Sequence, residues 1–213
     1  MTTVQEYSST NILNSVSTYL SAKLLADGML VYWHAADALQ IDSTSTGWYV
    51  GFSANRASIL ANATVAAALA ASRGIITILT TYPAEPRFIH RLISDASWGA
   101  TDVVPVPAMT VDVTPVQRTT GYELGTRKKW RPRAVLIELY ARDQNEQSWL
   151  SDWVERAVEQ DQHISVVNHD DGSLAVVGDA VFEQVRVETD TYLDAADALA
   201  FQVVAGAYLV YVV

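Results

Sequence analysis

Residues 134–160 constrain the fold of this chain more than any other stretch. Residues 134–141 read AVLIELYA, with Val135, Ile137 and Leu139 on one face at the two-residue period of a β-strand. Asp143 then stands where a helix cap belongs, and Glu146 follows three positions later as its capping-box partner. Along residues 144–160, Leu150, Trp153, Val154, Ala157 and Val158 form one apolar stripe. A half-apolar strand running straight into a half-apolar helix has to bury both surfaces. The helix stripe is therefore expected to lie on the sheet that contains 134–141.

The rest of the chain supplies more of the same two kinds of element. Residues 10–26 read as a helix through Ile12, Leu13, Val16, Leu20 and Leu24, capped by Ser9 or Thr10 and ended by Gly28. Residues 29–33 suit a strand, 42–47 a loop, 48–52 a second short strand, 57–72 an alanine-rich helix closed by Gly74, and 75–81 a β-branched strand. Residues 83–109 hold Pro83, Pro86, Pro105 and Pro107, with a short helix expected at 87–94 and extended backbone at the two Val-Pro pairs. Strands are predicted at 109–114, 164–167, 174–177 and 181–189, with a turn at 168–173. Residues 199–213 read as one long strand bulged at Gly206. Together these predict a single α+β domain over 1–213: a mixed, mostly antiparallel sheet backed by helices, with a long β-hairpin arm.

Composition narrows the function classes. Of 213 residues, 50% are hydrophobic and 18% charged, which excludes wholesale disorder. No cysteine is present, which excludes disulfides, thiolate catalysis and cysteine-ligated metal. The N-terminus lacks a signal-like basic and apolar pattern, and Gln202 and Gly206 interrupt the longest apolar stretch. The expectation is a soluble, cytoplasmic protein with no membrane partner. A net charge of −10 opposes general nucleic-acid binding.

That charge is unevenly spread. Residues 118–142 hold seven basic and two acidic side chains, whereas 143–213 hold two basic and 14 acidic. The basic stretch is either a solvated loop between two strands or an arm that docks on an acidic surface, which a second copy could supply. Nucleic acid is the weaker third partner. Trp130 lies among Arg127, Lys128, Lys129, Arg131 and Arg133, a contact-surface composition, though the ring could equally stack on its own arginine neighbours. Trp149 falls about 110° from the centre of its helix stripe and should be half exposed, either at a protein interface or under a neighbouring loop. The candidate subunit interface is therefore Arg118, Arg127, Lys128, Lys129, Trp130, Arg131, Arg133 and Trp149.

Motifs for chemistry are sparse. There is no P-loop, GxGxxG, HExxH or GxSxG pattern. His163, His169, Asp170 and Asp171 form the best metal-like cluster, but Asn-His-Asp-Asp-Gly-Ser also suits a hairpin turn with Asp171 and Gly172 at positive φ. His34 and Asp37, three positions apart, suit a helix end. No catalytic residue, metal or cofactor is expected. The alternative class is a small cytoplasmic α/β hydrolase or transferase, and a third is a dimeric adaptor.

One arrangement has a precedent. VPVPAMTVDV at 104–113 is followed by YELG at 122–125, the basic-aromatic segment Arg127–Arg133, the strand AVLIELYA ending in Tyr140-Ala141, then Arg142-Asp143 and the polar helix. A strand and a hairpin follow. Residues 100–170, with the N-terminal helix more loosely, resemble neck and tail-terminator (tail-completion) proteins of tailed bacteriophages. The resemblance implies a compact α/β subunit in a ring, usually hexameric, that caps the tail tube and joins it to the head connector. It implies partners in the tail tube and neck proteins, DNA only passing through the lumen, and a virion location after assembly in the host cytoplasm. It carries no catalytic residues, and residues 29–100 would be an insertion.

Overall fold

The computed structural model describes residues 8–34, 36–43, 47–79, 107–113, 120–121, 129–141, 144–160, 163–169, 174–192 and 201–212. The first helix, α1 (Ser9–Ala26), starts at Ser8, whose hydroxyl accepts the Asn11 N–H at 3.0 Å. The cap is thus one residue earlier than the sequence suggested. Gly28, at φ 82, turns the chain out of the helix as expected.

β1 (Leu30–Trp33) follows, then β2 (Ala38–Gln40) and β3 (Trp48–Val50). Three-residue β2 is too short for periodicity to reveal it. Phe52, read as the end of a strand, instead opens α2 (Phe52–Leu60). The single alanine-rich helix expected over 57–72 is two helices, because Asn62 takes an extended backbone and caps α3 (Ala63–Ala71) by accepting the Thr64 N–H at 2.9 Å. Next come β4 (Ile75–Leu79), β5 (Ala108–Val113) and two-residue β6 (Thr120–Gly121). The strand read at 134–141 begins five residues earlier, as β7 (Lys129–Tyr140). It leads to α4 (Gln144–Gln160) and β8 (His163–Val167). The two strands expected at 174–177 and 181–189 are one, β9 (Val176–Tyr192), and β10 (Phe201–Val212) closes the series. The irregularity in β10 falls between Ala207 and Leu209 rather than at Gly206. The helix expected at 87–94 lies outside the described residues, as does the proposed cap Asp143.

The strands form one sheet in the order β3-β2-β1-β4-β5-β7-β10-β9-β8, with β6 beside β7. β4 runs parallel to both β1 and β5, and every other pairing is antiparallel. This is an α+β fold with a mostly antiparallel sheet.

Helices cover both faces. Val135, Ile137 and Leu139 of β7 join Met109, Val111 and Val113 of β5 against Ile12, Val16, Leu20 and Leu24 of α1 and Leu150, Trp153 and Val154 of α4. The stripe read from sequence is the one buried on the sheet. A smaller cluster of Leu30, Tyr32, Leu39, Phe52 and Val65 uses the alternate residues of β1 and sits under α2 and α3. α1 also meets β1, β5 and β8, the last strand of the order, so one helix spans most of the sheet's width.

Candidate functional site

The basic segment grows directly out of the core. β5 pairs with β7 from Ala108↔Tyr140 to Val113↔Val135, and the same two chain directions meet again at Thr120↔Trp130 and Gly121↔Lys129. The stretch between the strands is therefore a β-hairpin at both of its described stations. On its other side β7 is held by β10, whose pairing runs from Val203↔Tyr140 to Val212↔Arg131. Lys129, Trp130, Arg131 and Arg133 thus lie on one strand clamped into the sheet, and Lys129 and Trp130 extend past the last β10 pair. Arg118, Arg127 and Lys128 lie outside the described residues.

Trp149 is not part of that cluster. It sits half-buried on α4 against the main core, beside a cavity of about 230 Å³ shared with Met29, Arg73, Gly74, Ile75, Pro107 and Glu146. Pro107 precedes the β5 residue paired with Tyr140, so this cavity belongs to the opposite end of β7. Nine strand residues, about 30 Å, separate that end from Arg131. Among the described residues, the candidate subunit interface therefore divides into two places.

The histidine cluster also divides. Exposed His163 begins β8 and His169 lies just beyond its end, so they stand about 20 Å apart along an extended chain. The chain after β8 turns back as a hairpin: Asn168 N–H donates to the Ala175 carbonyl at 2.8 Å and Leu174 N–H to the Asn168 carbonyl at 3.2 Å. Leu174 adopts φ 52, while Asp171 and Gly172 lie outside the described residues. Among the described residues no three His, Asp or Glu side chains converge as metal ligands.

His34 and Asp37 do not end a helix. They bracket the β1–β2 turn, which Asp37 N–H closes by donating to the His34 carbonyl at 3.1 Å. Asp37 then serves as a remote cap for α2. Its carboxylate accepts Ser53 N–H at 2.6 Å and the Tyr32 hydroxyl at 3.0 Å, and its carbonyl accepts Gly51 and Phe52 N–H. Burial pushes the Asp37 carboxyl up, but the Ser53 and Tyr32 hydrogen bonds and the nearby imidazole outweigh it and hold it below the ordinary carboxylate value. Burial likewise raises Tyr32, with help from Asp37, to about 12, and lowers His34 against the pull of Asp37.

A larger feature had no sequence signal, because it forms where the two ends of the sheet approach α1. It is a groove of about 820 Å³, bounded by Tyr19 and Leu25 of α1, Trp33 and Trp48 of β1 and β3, and the edge of β8. Trp33 and Trp48 meet edge to face with centroids 6.1 Å apart. Three buried polar atoms without a partner among the described residues, Ser21 Oγ, Trp33 Nε1 and His169 Nε2, belong to residues of this wall. Unmet buried polar groups are uncommon in native proteins and concentrate where function requires them.

Among the described residues no helix is long and apolar enough to cross a membrane. The chain matches no protein-family model and no curated protein.

Proposed function

We propose that the chain is a structural subunit of a homo-oligomeric ring, of the tail-terminator or neck type. In that role it caps a phage tail tube and joins it to the head connector. The observation that supports this reading is the basic β-hairpin rooted in an otherwise acidic body. β7 runs uninterrupted from the hydrophobic core out to Lys129, so the segment holding half of the chain's 14 basic side chains is anchored in the central sheet. A basic segment rooted in a body of opposite charge is self-complementary in a head-to-tail sense. Head-to-tail contacts close into rings when the rotation per subunit permits. Acid left over after pairing would face a lumen that repels phosphate, so DNA passes without adhering.

Negative-stain imaging of the purified protein tests the proposal. Annular particles of uniform diameter are the expected result. Compact particles of monomer or dimer size at every concentration would contradict it and return the question to the enzyme and adaptor classes.

A further inference from the structure

β8 is the last strand in the sheet order, so among the described residues one of its long edges has no strand beside it. Such an edge is a template for further pairing unless something covers it. Here it is half covered. Val167 N–H donates to Ser15 Oγ of α1 at 3.0 Å, and His169 N–H donates to Asn11 Oδ1 at 2.8 Å. In an antiparallel strand the N–H and C=O of alternate residues point the same way. Because Val167 and His169 turn theirs away from β9, so do His163 and Ser165. Nothing among the described residues bonds those outward groups.

The open half of the edge borders the groove walled by Trp33 and Trp48, and Leu174, 62% exposed, stands at its margin. It also lies in the most acidic part of the chain. From Asp152 to Glu183 there are eight acidic side chains and one basic one, Arg156. Asp152, Glu155, Glu159 and Asp179 are solvent-exposed.

We propose that the open half of β8, His163–Ser165, is the edge onto which the basic β6–β7 hairpin of a second copy adds as a further strand, through the Lys129–Trp130 edge of β7 that runs past its last β10 pair. The proposal rests on the ring reading and specifies its contact. Strand addition draws affinity from main-chain hydrogen bonds and selectivity from pockets for alternate side chains. The hairpin brings Lys129 and Arg131 to an acidic surround, and Trp130 between them has the shape and chemistry for an aromatic-walled groove. The donor hairpin and acceptor edge are different surfaces of one chain, so the contact is head-to-tail.

Because the chain lacks cysteine, the contact can be mapped with single introduced thiols. Lys129→Cys and Ser165→Cys chains are mixed and treated with a short bismaleimide, and the linked peptides are identified by mass spectrometry. The expected product joins residue 129 of one copy to residue 165 of another. In parallel, Ser165→Pro removes an outward N–H while leaving the β8–β9 ladder intact, as proline permits on a strand edge. It is expected to reduce the assembly to folded monomers with an unchanged circular dichroism spectrum. If the wild type assembles but no 129–165 link forms between copies, this contact is wrong and the ring reading stands. If the wild type is monomeric at all concentrations, both fail.

Discussion

Asp37 shows how much one side chain can organise. It stands in a left-handed backbone conformation, φ 45, which is costly for a residue with a Cβ. In return its backbone N–H closes a turn, while its carboxylate anchors Tyr32 and caps a helix that begins 15 residues later. Asp37→Ala is expected to cost about 1–2 kcal/mol in denaturant unfolding, the usual worth of a lost cap with buried partners. The pH dependence has a definite sign. Tyr32 holds its proton more tightly when folded, so its contribution is complete below the ordinary tyrosine value of 10.0 and declines as pH rises towards about 12. Tyr32→Phe should flatten that alkaline decline. The Asp37 term runs the other way, present above the unfolded carboxyl value and lost as pH falls through the lower folded one. The His34–Asp37 spacing was visible in the sequence, but its meaning was not, because the partners at Gly51–Ser53 come from the next element. Trp153 was legible. It fills the α4 stripe and donates its indole N–H to Asp27 at 2.6 Å. Trp153→Ala should cost about 3–5 kcal/mol, with half-buried Trp149→Ala costing clearly less. Equal losses in thermal unfolding would place both in the core.

At the scale of elements, period decided what could be read. β7 and α4 carried clean two- and 3.6-residue patterns over eight residues or more, and both lie where those patterns put them. β2 has three residues and no period to detect. The break between α2 and α3 turned on Asn62 alone, whose capping side chain competes with an alanine background that favours a continuous helix. Buried polar residues on α1 were the least legible. Asn11 and Ser15 look like surface positions in a helix pattern, yet they satisfy the outer edge of β8. Ser15→Ala is expected to destabilise by about 1–3 kcal/mol, since it strands a partly buried N–H. Amide exchange should accelerate first at Val167, and unchanged protection there would show that the α1–β8 contact is not held by this bond.

For the whole molecule, class was legible and topology was not. Apolar runs alternating with amphipathic helices fix an α+β domain, but no local pattern says that β4 lies parallel between β1 and β5, or that α1 meets both β1 and the last strand β8. The groove beside β8 was invisible for that reason, since its walls come from three separated parts of the chain. Charge segregation, by contrast, was readable from counting, and the structure places Lys129, Arg131 and Arg133 of that run on one end of a core strand. Partly exposed ion pairs between copies weaken as salt rises. Reversing Arg127, Lys128, Lys129 and Arg131 to glutamate should accordingly yield folded monomers in gel filtration. Retention of the full assembly by that variant would assign the subunit contact to another surface.

Sedimentation equilibrium of the wild-type protein across a salt series decides whether the chain assembles into a ring through charge. Each chain is 23.3 kDa, and a ring of six is about 140 kDa. The account predicts a single assembled species near that mass at low salt that dissociates towards 23.3 kDa as salt is raised, with no loss of secondary structure. A mass of one chain at every protein concentration and every salt would contradict it.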